Sequence, residues 1–320
     1  MYRFIVNPVS QSGKGEEIWQ LVRARLEELH VEYQVYRTEK QGDMTRMAAE
    51  AQASGDADDP IIAIGGDGSL NDVINGLDLA QKPVIGMIPA GSGNDFSAGI
   101  GLPRKAMDAL DGILGCAAPH LIDAGETVCT VDDVDGGSRE IRRSFIVSSG
   151  IGYDADVCEQ VNVTKLKKIL NRLHLGKLTY FAIGFKLFWT YKKAGGTLTI
   201  DGTSQPVSCL GFLSAHNTIY EGGGYPFAPD ASPFDGRLSL CVTAPKKRRV
   251  FFIAFLLSKT TPGFHTRFKD IFNVDCSEAS LSLDIPLPVH TDGEVVGHCS
   301  AVTFRVLPGC LRLLGQTSGH

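Results

Sequence analysis

Two kinds of hydrophobic order follow one another along the chain. Residues 2–6 form a short apolar run that stops at Asn7-Pro8 and predicts a buried strand. A polar loop with glycines spans Ser10 to Gly15. From Glu16 to His30 the residues Ile18, Leu21, Val22, Leu26 and Leu29 share one helical face. A strand is expected over Tyr33–Arg37, a helix over Asp43–Ala53, and an all-apolar strand over 60–64. Such unbroken apolar runs suit parallel strands covered on both faces. A short helix at Leu70–Leu77, a strand at Val84–Ile88 and helices at Asp95–Ala98 and Arg104–Leu114 complete the alternation. This order predicts an N-terminal doubly wound α/β domain over residues 1–123.

From Ala124 the period changes. Strand patterns recur at 141–149, 196–200, 206–215, 237–243, 279–285 and 301–307, bounded by turns such as Asp135-Gly136-Gly137 and Asp235-Gly236. That spacing predicts a C-terminal antiparallel β-sandwich over 124–320. One helix is expected to interrupt it near 165–193, with Leu166, Ile169, Leu170 and Leu173 opposite Lys165, Lys168 and Arg172. A chain of 320 residues agrees with two domains. The C-terminal tail could pack back on the first.

The formal charge of −5 conceals an asymmetry. Residues 160–200 and 236–269 contain no acid and eight Lys/Arg each. The rest of the chain is therefore strongly acidic. A near-neutral total argues against a nucleic-acid binder, and basic blocks in an acidic chain suit a polyanion or an anionic membrane. The eight cysteines form no C-x-x-C pair and no zinc spacing, so a reducing cytoplasm is expected. The N-terminus does not read as a signal peptide. The strongest apolar run, Val250 to Leu257, is too short to span a membrane.

Candidate chemistry lies where strands end. The third strand runs into Gly65-Gly66-Asp67-Gly68-Ser69-Leu70-Asn71-Asp72, and the fourth into Pro89-Ala90-Gly91-Ser92-Gly93-Asn94-Asp95-Phe96. Glycine there lets backbone N–H groups approach a phosphate, and the helix that follows adds positive potential. Asp67 and Asp95 beside a phosphate would need a divalent cation between them. The loops match neither a Walker A motif nor a full dinucleotide fingerprint.

Together these loops resemble the diacylglycerol kinase catalytic-domain family, whose relatives include sphingosine, ceramide and NAD kinases. Further segments agree in order. These are Asn7-Pro8 with Ser12-Gly13-Lys14-Gly15, Gly150-Ile151-Gly152-Tyr153-Asp154-Ala155, Gly222-Gly223-Gly224 through Pro229-Asp230-Ala231, and His290-Thr291-Asp292-Gly293-Glu294. The resemblance implies a nucleotide site in which Asn7, Thr38, Gly66, Asp67, Gly68, Ser69, Leu70, Asn71, Asp72 and Ser92 bind ATP. It implies Glu294 as the base, with Asp292 as its orienter or a metal ligand, and Asp67 and Asp95 as further catalytic carboxylates. A structural Mg²⁺ would be held by Asp235 with the backbone carbonyls of Ser232 and Arg237. Asp123, at the junction, matches another family aspartate and is a further candidate ligand.

The activity implied is an ATP-dependent lipid kinase, acting on diacylglycerol at the inner face of a membrane. A kinase of a sphingoid base, another lipid alcohol or a soluble polyol is one alternative, and a nucleotide-binding regulator without turnover is another. Lys246-Lys247-Arg248-Arg249, followed by Phe251-Phe252 and Phe255-Leu256-Leu257, is the candidate peripheral membrane contact. Trp189 and Tyr191 read equally as interfacial anchors or as core. A homodimer through the sandwich is also implied by the resemblance.

Overall fold

The computed structural model describes residues 1–91, 93–132, 138–163 and 183–316. Ser92, the Asp135-Gly136-Gly137 turn and the helix expected from Lys165 lie outside these residues, apart from a helical stretch at 183–187. The chain divides into two compact units, Met1–Ala124 with Pro308–His320, and Gly125–Leu307. No helix among the described residues is long and apolar enough to cross a membrane. The eight cysteines, all among the described residues, form no disulfide.

The first unit is the expected doubly wound α/β fold. Strands β1 (Tyr2–Val6), β2 (Tyr33–Arg37), β3 (Ile61–Gly65) and β4 (Val84–Pro89) are parallel, in the order β2-β1-β3-β4. The returning C-terminal segment adds Arg312 and Leu313 beside Val84 and Ile85. Helix α1 (Lys14–Glu28) lays Ile18, Trp19, Val22 and Leu26 on Phe4, Ile62 and Ile64. The Trp19 and Phe4 rings lie 5.7 Å apart. Helix α2 (Asp43–Ala53) follows β2, and α3 (Asp67–Ile74) follows β3. Helices α4 (Asp95–Gly99) and α5 (Ala106–Leu114) follow β4.

Two helices begin earlier than apolar periodicity predicts. Apolar periodicity places α3 from Leu70, yet it begins at Asp67, within the glycine-rich segment. Helix α1 likewise begins at Lys14, two residues before the expected start. A polar first turn carries no periodic signal, because a helix N-terminus is governed by its unsatisfied amides rather than by burial.

The second unit is the antiparallel sandwich. Its strands are the end of β5 (His120–Asp132), β6 (Ser138–Phe145), β7 (Ser148–Gly152), β8 (Ala194–Ile200), β9 (Thr203–Leu210), β10 (Phe212–His216), β13 (Leu238–Thr243), β14 (Ile271–Cys276), β15 (Glu278–Thr291) and most of β16 (Glu294–Leu313). Two two-residue strands, β11 (Tyr220–Glu221) and β12 (Tyr225–Pro226), form a separate ladder. One row runs β14-β13-β10-β7-β15. Strand β15 shifts register between Ser282 and Leu287, pairing with β8 before the shift and β7 after it. Phe145, Leu198, Leu213, Leu240, Leu281 and Phe304 fill the core.

The strand expected over 206–215 is two strands broken at Gly211, and that expected over 141–149 is also divided in two. Two further helices, α6 (Tyr153–Val163) and α7 (Arg248–Ser258), interrupt the sandwich. Phe251 and Phe255 of α7 pack with Phe188, Tyr191 and Phe212.

Replacing Phe4 by Ala should cost about 3–5 kcal/mol of first-unit stability. Urea unfolding of that variant in a Trp189→Phe background, read by Trp19 fluorescence, checks this. A loss under about 1 kcal/mol would mean that Phe4 does not anchor α1 to the sheet.

Candidate active site

In the first unit the two glycine loops are fastened together by a carboxylate. Asp67 Oδ2 accepts the Asp95 N–H at 2.8 Å, and Oδ1 accepts the Phe96 N–H at 3.1 Å. Asp67, in the first turn of α3, thus caps the start of α4. The loops touch glycine to glycine: a Cβ on Gly91 would sit 2.5 Å from the Gly66 Cα. Only residues without side chains allow that approach. Asn94, at φ 54°, closes the second loop on itself, its side chain bonded to both the N–H and the C=O of Gly91. The carboxylates of Asp67 and Asp95 both reach the Gly93 position, 3.4 and 3.8 Å from where a Cβ would lie. Gly66 is extended, and no side chain caps α3 from that position.

The other predicted nucleotide residues divide by what their side chains do. Asn7 Nδ2 donates to Ser69 Oγ at 3.2 Å, joining the end of β1 to α3. Leu70 and Asn71 are fully buried, so Leu70 could offer a ligand only its backbone. Thr38 follows β2, and its N–H bonds to the Val6 carbonyl. The Asp72 carbonyl accepts the Thr45 hydroxyl. Asp123 is buried and accepts the Gly309 N–H at 2.7 Å, holding the returning C-terminal segment.

In the second unit, Asp292 and Glu294 are held apart by different partners. The Asp292 carboxylate accepts the N–H groups of Ile146, Val147 and Ser148, each at 2.9 Å. Its own N–H returns to the Ser148 carbonyl. Asp292 and Gly293 adopt φ of 47° and 84°, a tight turn that presents Glu294 at the start of β16. Glu294 pairs with Arg143 at 2.9 Å and remains half-exposed. Asp292 therefore acts on loop amides, and Glu294 is the carboxylate at the surface.

Sequence reading missed a buried group beside this turn. His290 Nε2 lies 3.3 Å from Asp154 Oδ2 and 3.5 Å from Glu221 Oε1. His216 Nε2 lies 3.6 Å from Glu221 Oε2 and 2.8 Å from Ser214 Oγ. Both imidazoles are fully buried. Burial pushes His216 down to about 3 and keeps it neutral. Asp154 and His290 lie inside motifs legible in the sequence, but Glu221 and His216 have no local signal, because three distant strands and a helix assemble the group.

The predicted sandwich metal set lies in the turn before β13. Asp235 accepts the Arg237 N–H at 2.9 Å. The Arg237 guanidinium is drawn off to Asp201 and the Asp275 carbonyl. An Asp235 carboxylate with backbone carbonyls is an oxygen-only donor set, which suits Mg²⁺.

The basic cluster splits. Arg248 bonds to the Phe188 and Tyr191 carbonyls and lies over the Tyr191 ring, whereas Lys246, Lys247 and Arg249 are exposed. Trp189 is 62% exposed, with Phe185, Ile253, Leu256 and Leu257 also at the surface, while Tyr191 is core.

A model of the family described as the diacylglycerol kinase catalytic domain matches residues 1–125. A second, described as the YegS C-terminal NAD kinase beta sandwich-like domain, matches residues 146–315. A diacylglycerol kinase of Staphylococcus aureus (strain MRSA252) is 29% identical over 303 residues, covering 93% of this chain and 87% of the relative. A crystal structure of a diacylglycerol kinase from Bacillus anthracis str. Sterne superposes with a TM-score of 0.73 at 23% identity, over 98% of this chain and 96% of that one. An NAD kinase from Archaeoglobus fulgidus in complex with ATP gives 0.51 at 12% identity, over 99% and 94%. The two structural likenesses show the fold.

Asp292→Asn sets an amide N–H₂ against a backbone N–H, and should cost about 1–3 kcal/mol in denaturant unfolding. Glu294→Gln, at a surface ion pair, should cost under about 1 kcal/mol. Equal losses would contradict the division of roles between the two.

Proposed function

The chain belongs to the diacylglycerol kinase catalytic-domain family and is a lipid kinase, and from that premise we propose that it transfers the γ-phosphate of ATP to the hydroxyl of diacylglycerol, forming phosphatidic acid. The observation that carries the donor half of this reading is the grip of Asp67 on the Asp95 and Phe96 amides. It sets two glycine loops side by side at the ends of parallel strands, where backbone amides can meet a triphosphate.

Asn7, Thr38, Ser92 and the Gly66–Asp72 segment would bind the nucleotide. Mg²⁺, held by Asp67 and Asp95, would neutralise phosphate charge. A second Mg²⁺ at Asp235 would tie the turn before β13. In phosphoryl transfer the protein mainly positions groups and stabilises charge. Glu294 accepts the proton of the lipid hydroxyl as its oxygen attacks the γ-phosphorus, and ADP leaves. Arg143 pairs with the Glu294 carboxylate at 2.9 Å.

The acceptor is met at a membrane surface. Trp189, Phe185, Ile253, Leu256 and Leu257 enter the interfacial region, and Lys246, Lys247 and Arg249 face anionic headgroups. Basic residues near such a surface contribute about 1 kcal/mol each.

Labelled ATP and Mg²⁺ with diacylglycerol in mixed micelles should yield labelled phosphatidic acid. Glu294→Gln should lower kcat roughly 100-fold or more while nucleotide binding is kept. Normal turnover in that variant removes Glu294 as the base. A whole lipid extract under the same conditions names the acceptor; labelling only of a sphingoid base or another alcohol replaces diacylglycerol, and no labelling with nucleotide bound leaves a regulator.

Binding to anionic vesicles should weaken as salt rises. Trp189→Ala should also reduce it. Binding indifferent to both would remove the membrane surface from the reading.

A further inference from the structure

Gly293, at the centre of the Asp-Gly-Glu turn, is held by an imidazole. Its backbone N–H points at His290 Nδ1, 3.2 Å away. A backbone amide can only donate, so Nδ1 presents its lone pair and the ring hydrogen sits on Nε2. Nε2 faces the carboxylates of Asp154 and Glu221 at 3.3 and 3.5 Å. One ring therefore joins two carboxylates on one side to the catalytic turn on the other.

The ring has little freedom. It is fully buried, and the Ser149 hydroxyl donates to the His290 carbonyl. His290 pairs across the ladder with Gly150. A Cβ on Gly150 would lie 1.9 Å from Asp154 Oδ2 and 3.0 Å from His290 Nε2. The close approach of ring and carboxylate thus requires glycine at that position.

We propose that His290 is the positioning residue of the Asp292-Gly293-Glu294 turn: Asp154 and Glu221 fix the ring through Nε2, Nδ1 fixes the Gly293 amide, and the turn then aims the Glu294 carboxylate. The proposal rests on Glu294 as the base that receives the lipid hydroxyl proton. His290 acts only through the turn.

Two other states of the group conflict with the Gly293 amide. Burial disfavours a charged ring, while the Asp154 and Glu221 carboxylates favour one and raise its pKa. A second proton could go only to Nδ1, where the amide already points, and the amide decides for the neutral ring. Asp154, Glu221 and His290 also lie close enough together to hold a divalent cation. A cation on Nε2 would need the lone pair there and would force the hydrogen onto Nδ1, against the same amide.

A crossed pair of variants tests this. In His290→Asn the side-chain oxygen falls near the place of Nδ1 and still accepts the Gly293 N–H. In His290→Gln the amide reaches toward the place of Nε2, keeps a donor for the carboxylates and leaves Gly293 without its acceptor. Hydrogen exchange at the Gly293 amide should stay near wild type in the Asn variant and quicken about 10-fold in the Gln variant. The kcat for lipid phosphorylation should fall roughly 10- to 100-fold in the Gln variant and under about 5-fold in the Asn variant, with the KM for ATP unchanged in both. Equal exchange, or equal losses of kcat, would overturn the proposal. So would stoichiometric Zn²⁺ bound by the wild-type protein and lost in both variants. A wild-type protein that turns over no lipid would instead sink the reading of Glu294, while the exchange measurement still judges the Gly293 bond.

Discussion

Backbone N–H groups that no helix or strand can pair must find an acceptor elsewhere, and in this chain aspartate carboxylates supply it at the points that matter. Asp67 takes two amides of the second glycine loop, and Asp292 takes three at the entry to β7. Asp201 takes the amides of Ser277 and Glu278 at the start of β15, and Asp43 takes those of Glu39 and Lys40 ahead of α2. Asp123 takes that of Gly309. These bonds are charge-assisted and short, roughly twice as strong as neutral ones. The loops around the candidate chemistry are thus shaped by carboxylates in both units. At Asp43 the consequence is visible in its ionisation, since the Glu39 and Lys40 amides hold its pKa below the usual carboxylate value.

That pattern explains what could be read from the sequence and what could not. The α/β unit was legible because its strands are buried on both faces and therefore continuously apolar, as Ile61–Gly65 and Val84–Pro89 are. Residues 120–132 and 271–276 gave no such signal, because Asp123, Glu126, Asn273 and Asp275 interrupt them where loops and edges need polar groups. The motif aspartates were legible as important, but not the backbone amides that they hold. Asp292 has the spacing of a catalytic partner of Glu294, and its carboxylate also holds the amides of Ile146, Val147 and Ser148. Spacing locates a residue on a turn; it does not say which way the carboxylate faces. Glu221 could not be found at all, since its partners His216, His290 and Asp154 lie on other elements.

The basic blocks divide the same way. An acid-free stretch reads as a face awaiting a polyanion, but Lys193, Arg237 and Arg248 spend their charge on backbone carbonyls. What remains at the surface around α7 is a smaller cationic set beside exposed Trp189 and Leu256. The pairing of apolar with cationic groups is the chemistry of an anionic interface.

The two motifs 136 residues apart in the chain, around Asp154 and His290, are one physical object. Strand pairing sets Gly150 opposite His290, and the missing side chain at Gly150 is what lets Asp154 reach the ring. An alanine at 150 would push Asp154 off the imidazole, free the ring to turn, and so loosen the Gly293 amide. Along the chain these look like separate short motifs. In space they are a single support, with Glu294 at its end.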